Sequence, residues 1–251
     1  MSPDPKPGVA KVGAAIGEIL GLGNTILLPL RFLNESAAKF ERAAYDKICK
    51  RIDKIPLESI VPVTPEIGVP ILEKMSHTEN EDLRNLFVEL LGKAADSRFV
   101  REAHPSFVNV ILNICPDEAK LIRHIDRKYT PFVTLEQAVA KTHGRRLHTD
   151  FVFKISDDLQ FKDSDTISMY ISNLSGLGII EIHRDRFLTE DGAYNDIVED
   201  VLKDFPEIIE NPVTAGTRFD EDTLVYNKGM LVLTSFGYGF QRCCIEDIIE
   251  D

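Results

Sequence analysis

Between Leu83 and Leu91 the apolar residues Leu83, Leu86, Phe87, Leu90 and Leu91 fall at i, i+3, i+4, i+7 and i+8. That spacing lines one face of an α-helix. Thr78 and Glu81 stand ahead of it as a capping box. A helix with one apolar face must bury it on another element, so the middle of the chain is committed to helix packing. Prolines cut the neighbouring apolar runs into short pieces. Pro105 and Pro116 each stand where a first helical residue belongs, which predicts helices over 105–114 and 116–129. Upstream, residues 36–54 predict a helix with Phe40, Ala44, Ile48 and Ile52 on one stripe, ending before Pro56. Pro62, Pro65 and Pro70 predict an extended linker, because each proline pushes its predecessor away from helix.

The second half mixes periods. Thr134 with Gln137 predicts a helix running to about Gly144, and 151–155 alternates as a short strand. Residues 165–175 predict a helix stopped by Gly176, followed by a strand over Ile179–Ile182. Thr189 caps a further helix whose buried face holds Tyr194, Ile197, Val198, Val201, Leu202 and Phe205. Asn227-Lys228-Gly229, between Thr223–Tyr226 and Met230–Thr234, is a hairpin signal. A last helix starts near Ser235 with Phe240, Cys244 and Ile248.

Helix, Leu177-Gly178 turn, strand, and a returning strand ending in Leu233-Thr234 and Gly237 resemble a winged helix. The expected fold is therefore mainly α (α+β). Helical N-terminal (1–57) and middle (58–115) regions precede a winged-helix-like domain (116–251) with a small antiparallel wing. Residues 184–226 form an insertion in that wing, and 179–182 pair with 230–234.

The net charge is −12, and its distribution matters more than its size. Residues 1–60 carry +2, 61–150 carry −1 and 151–251 carry −13. Nucleic-acid affinity comes largely from neutralised phosphates, so this half repels DNA and RNA. The helix at 165–175 holds one Asn and no basic residue, so it lacks the groups that read base edges. Arg145 and Arg146 read as a charge pair at a helix C-terminus. No nucleic-acid partner is expected.

Near the N-terminus Gly13, Gly17 and Gly21 repeat every fourth residue, which places them on one helix face. Bare faces of this kind allow close helix approach, in membranes as in oligomers. Lys11, Glu18, Pro29 and Arg31 work against a plain membrane span. The reading is a glycine zipper packed on another helix, with membrane association through 8–33 as the alternative. Cys49, Cys115, Cys243 and Cys244 contain no CxxC, which points to a reducing cytoplasm rather than a disulfide scaffold or zinc module.

Chemistry-bearing motifs are sparse. His143, His148 and Asp150 match no zinc spacing. Asp150 and Lys154 echo a nuclease motif, but Val152 stands where a second acid is needed. His104 before Pro105 could act as a base, or cap and pack at a helix start. Cys243-Cys244 reads as helix packing. No nucleotide, hydrolase or metalloprotease signature occurs. The expectation is no catalytic residue, metal or cofactor, and no enzyme activity.

An ordered series carries more. IVPVTPEI at 60–67, Pro70, LRNLFVELLGKAAD at 83–96, HPSFV at 104–108 and CPDEAK at 115–120 follow one another. With KVGAAIGEILGLGNTILLPLRFL near the start and LTSFGYGFQRCC near the end, the series resembles the Abi-alpha family of bacterial abortive-infection proteins. The resemblance makes His104, Pro105 and Pro116 family-motif positions. Cys115 departs from it, standing where the family has a Ser N-cap. The resemblance implies anti-phage defence, working non-enzymatically through contacts with a protein partner or phage component, as sensor or effector. Homo-oligomerisation is a further expectation. A membrane-perturbing effector, a winged-helix regulator and a hydrolase built on 143–150 are the alternatives.

Overall fold

A computed structural model describes residues 46–75, 77–125, 129–142, 144–153, 164–211, 219 and 221–245. The chain forms two compact units, Met1–Ala119 with Gly239–Asp251, and Lys120–Tyr238.

The first unit is helical. It holds α1 (46–53), a 3-10 turn at Leu57–Ser59, α2 (Pro65–Met75), α3 (Glu81–Ala94) and α4 (Ser106–Leu112). The chain leaves it within α5 (Pro116–His124) and re-enters it within α8 (Ser235–Cys244). Of the extended linker expected over 60–70, residues 60–64 are not helical, but from Pro65 the chain is α2 instead. Pro65 takes the first helical position and Pro70 lies inside the helix. Burial of Ile67, Ile71 and Met75 along one stripe holds this helix despite the donor that Pro70 lacks.

Asn80, not Thr78, caps α3, its side-chain oxygen accepting the Leu83 N–H at 3.1 Å. Thr78 instead donates its hydroxyl to the Lys74 carbonyl at the end of α2. The apolar stripe of α3 widens as it proceeds. Every residue from Leu86 to Asp96 is buried, so this end of α3 is covered all round. Phe87, Leu90, Phe107 and Ile111 are buried as expected, while Leu83 is half-buried. Phe107 meets Phe240 edge-on at 5.5 Å between centroids, which brings α8 into the same core.

The second unit is built on a sheet, and it overturns the winged-helix assignment. β1 (Thr130–Val139) and β2 (Gly144–Val152) precede α6 (Ser164–Gly176) and β3 (Ile180–His183). Then come α7 (Asn195–Asp204), β4 (Ile209–Glu210) and β5 (Thr223–Leu233). The strand order is β2-β1-β5-β3, antiparallel throughout, and β4 adds to β5 in parallel. So the returning strand is no wing. β5 is a central strand, with β1 along one edge and β3 and β4 sharing the other. α6 packs against β2 and β3, the two ends of the strand order, so the sheet curls around it.

Four local expectations fail. The helix expected over 134–144 is β1, whose residues Phe132, Val133, Thr134 and Leu135 are buried in succession. A central strand covered on both faces loses the polar alternation that would mark it. Asn227-Lys228-Gly229 makes no hairpin, since β5 runs straight through. Gly229 is there for close approach: an added Cβ would run into the Phe132 ring and come within 2.9 Å of the His183 carbonyl oxygen. The helix expected from Thr189 starts at Asn195, because Gly192 at φ +86° breaks it. Arg145 and Arg146 open β2 rather than close a helix.

The expected pairing of 179–182 with 230–234 is present, as Ile180↔Leu233, Glu181↔Val232 and Ile182↔Leu231. Its joint is closely made. Gly178, at φ +74°, ends α6, with its N–H on the Ser175 carbonyl and the Ile179 N–H on the Leu174 carbonyl. Thr234 donates its hydroxyl to the Gly178 carbonyl at 2.6 Å and accepts the Gly237 N–H at 2.8 Å, capping α8. Gly237 lies against the Ile179 carbonyl, where a Cβ could not fit.

Phe87 is 1% exposed. Phe87→Ala is expected to cost about 3–5 kcal/mol in a denaturant melt, from lost burial and the cavity left behind. A loss under about 1 kcal/mol would refute the placement of this face in the core.

Candidate functional site

Two polar clusters stand out, one in each unit. In the helical unit Lys47 and Arg51, one turn apart on α1, face α3. Lys47 donates to Glu81 at 2.6 Å and to Asn85 at 2.8 Å. Arg51 donates to Glu89 at 2.6 Å, with both side chains about nine-tenths buried. The ladder rises along both helices in the same direction. Gly92 makes room for it, since a Cβ there would lie 2.7 Å from the Arg51 side chain.

Further along α3, the Lys93 ammonium sits 4.1 Å above the Phe99 ring. Asp96, 1% exposed, accepts from the Arg98 guanidinium at 2.6 Å and from the Arg98 N–H at 3.0 Å. These bonds hold its carboxyl below the usual carboxylate range. Cys244 is buried in this unit. Burial first, then Cys243 and Glu89, pushes its thiol well above the ordinary value, so it is no thiolate nucleophile at neutral pH.

In the sheet unit the cluster is built on an irregular strand. Between Val133↔Val152 and Leu135↔Thr149, β2 carries one more residue than β1. The bulge sits at Asp150-Phe151, opposite Thr134, and Phe151 takes a φ of +52°. A non-glycine residue in that region is strained and persists only where packing holds it. Phe151 is buried against Phe132, with the Arg184 guanidinium 4.6 Å above its ring. Arg184 follows β3 and reaches Asp150 on β2 in a bidentate pair of 2.6 and 2.8 Å. It therefore clasps the two ends of the strand order together. Thr134, buried in β1, also donates to Asp150 at 3.4 Å.

A neighbouring network continues along the sheet. Arg145 donates to Glu136 at 3.3 Å and Asn211 at 3.0 Å, and Asn211 donates to Asn227 at 2.5 Å. Tyr226 donates to Glu210 at 3.2 Å, and Lys228 reaches the same oxygen at 2.8 Å. Desolvation, then the Glu210 charge, pushes the Tyr226 hydroxyl up to about 12. A shallow cleft of about 220 Å³ lies between Thr130, Pro131, Gly192, Ala193, Asp196 and Ile197.

The residues singled out in the sequence take separate places. Gly13, Gly17 and Gly21 lie outside the described residues, as do His143 and Ile248. His104 accepts the Ser106 N–H on Nδ1 at 3.1 Å and leans on Phe107, so it serves the start of α4 beside Pro105. Pro116 opens α5. Cys115 precedes it, and the Glu118 carboxylate accepts the Cys115 N–H at 2.6 Å. This is the acidic half of a capping box, formed without a hydroxyl at the cap. His148 meets the Phe205 ring edge-on at 5.2 Å.

Sequence reasoning passed over Arg51, Glu89, Asp96 and Arg184. Glu89 and Lys93, one turn apart among buried leucines, were the available signal in the helical unit. Nothing local marks Arg184. Among the described residues no group of three His, Cys, Asp or Glu could hold a metal. No helix among them is long and apolar enough to cross a membrane.

Fold and clusters together define an α+β protein whose buried charges tie its own elements to one another. The chain belongs to the abortive infection alpha family, whose family model matches residues 36–244. No curated protein and no solved structure matched the chain.

Two outcomes are expected. Glu89→Leu or Arg51→Met alone leaves a buried charge unpaired and costs roughly 3–5 kcal/mol, whereas the double substitution costs clearly less. A double mutant as unstable as the sum of the singles, in denaturant melts, would refute the coupling. Tyr226 holds its proton to about 12 when folded against an ordinary 10.0. Its contribution is complete below the unfolded value and is lost as pH rises through the folded one. Stability should fall between these two values, and Tyr226→Phe should reduce the slope. A Tyr226→Phe profile identical to the parent's would refute it.

Proposed function

We propose that this protein acts in phage defence non-enzymatically, through contacts with another protein, as sensor or effector of abortive infection. Family membership supplies the biological role. One observation supports the non-enzymatic reading. The three buried carboxylates among the described residues, Glu89, Asp96 and Glu118, are held respectively by Arg51, by Arg98 and by the Cys115 N–H. A general base needs a carboxylate poised near the working pH, and these are committed to holding the fold. Asp150, on the strained bulge, is committed to Arg184 in the same way.

Expression in a phage-sensitive bacterial host is expected to lower plaque counts while infected cells fail to regrow. Asp150→Asn, His104→Gln and Cys243→Ser proteins that keep the parent's far-UV spectrum are expected to protect as well as the parent. Loss of protection by one of these folded variants would overturn the non-enzymatic reading. No effect of the parent on plaque number would overturn the role in defence.

A further inference from the structure

The geometry points to the outer edge of β2, over Gly144–Leu147, as the docking site for an extended acidic segment of a partner protein, which adds there as a further strand. This inference rests on the reading that the protein works through protein contacts, and it names the chemistry of the partner.

β2 ends the strand order, and among the described residues β1 is its one strand neighbour. From Val139↔Gly144 through Glu136↔Leu147 the ladder is regular. A regular antiparallel edge turns alternate N–H and C=O groups outward, ready to pair with another chain. Gly144 to His148 are all exposed, and Leu147 keeps 56% of its surface open. Beyond Leu147 the two bulges, at His148 and at Asp150-Phe151, break the template. Bulges are a common guard against indiscriminate edge pairing, and here they leave a short segment unguarded. A four-residue template limits the partner to a brief strand.

Charge selects the occupant. The sheet unit, 120–238, has 14 Lys and Arg against 20 Asp and Glu, a net charge of −6. Lys141 and Arg146 are exposed cations at the head of this one strand, where Arg145 is already paired with Glu136. Pairing with a second copy of the edge would set arginine beside arginine, and like charges on paired strands repel. A nucleic acid would meet the acidic remainder of the unit. A strand alternating acidic and apolar residues meets neither obstacle. Its carboxylates line the face that Arg146 occupies and its apolar side chains line the opposite face, where Leu147 stands, while main-chain bonds extend the sheet.

The test is fluorescence anisotropy with the full chain and a labelled Glu-Val-Glu-Val-Glu-Val peptide. Saturable binding that weakens with salt is expected, and Arg146→Glu should weaken it by roughly tenfold or more. Lys141→Glu serves as a second variant should the first fail to fold, and it too should weaken binding. A Lys-Val peptide and a Glu-Val peptide N-methylated at alternate amides should not bind. Three results would each overturn the proposal: no binding of the Glu-Val peptide, equal binding by both charge-reversed variants, or equal binding of the N-methylated peptide. The last would show charge attraction without strand addition. A parent that protects cells from phage yet ignores the peptide sinks this proposal alone. Peptide binding without protection sinks the defence role and leaves the edge site standing.

Discussion

The helical unit depends on an ion pair removed from water. Arg51 and Glu89 meet at 2.6 Å with both side chains about nine-tenths buried. Desolvating two charges carries a cost that only good geometry offsets, so the pair is a poor source of net stability. Its value lies in register. An axial slip of one helix past the other by a single turn would leave both charges buried and unpaired. Apolar contacts alone would tolerate such a slip far better, since one aliphatic side chain against another is nearly the same one turn on. Gly92 belongs to the same device, because it opens the space through which the arginine stem passes.

The sheet unit meets the same problem with a different solution. Its core side, from Val133 and Leu135 to Ile197 and Val201, is ordinary apolar packing under α7. The curl is held by the clasp from Arg184 to Asp150. A bidentate guanidinium–carboxylate contact is directional, which suits a role in fixing the approach of two strands that do not pair. The bulge that presents Asp150 also forces Phe151 into the left-handed region, and strain is accepted there in return for aim. The two units thus share a habit, with charge placed where it decides geometry.

Much of this was legible in the residues. The helices at 83–91, 105–114 and 165–175 announce themselves by period and punctuation. The pairing of 179–182 with 230–234 was rightly expected, although the winged-helix pattern and the hairpin signal that suggested it both fail. β1 and β5 were misread for different reasons. Phe132 to Leu135 are buried in succession, so β1 shows no alternation and Thr134 looked like a cap. In β5 both flanks were read as strand, and Asn227-Lys228-Gly229 between them looked like a turn because Gly229 is there for close approach to Phe132. Pro70 pointed to a linker because the burial that overrides it, of Ile67 and Ile71, is a tertiary fact. The clusters were harder still. Asp150 and Arg184 stand 34 residues apart, and only the curl of the sheet makes them neighbours. Family resemblance, by contrast, was carried by the order of short segments, and the family match bears it out.

The discontinuity of the helical unit has a consequence for how the chain is made. Phe240 reaches the Phe107 ring from α8, near the end of the sequence, and the β3–β5 ladder joins residues as far apart as Ile180 and Leu233. Helices early in the chain can form as they emerge from the ribosome, but their core lacks a wall until α8 arrives. The sheet cannot close before β5 is synthesised, and closing so long a loop is slow. Neither unit is complete as a nascent domain. A polypeptide truncated before β5 would expose the cores of both, and one truncated between β5 and α8 would still leave the helical core open on the side of Phe107.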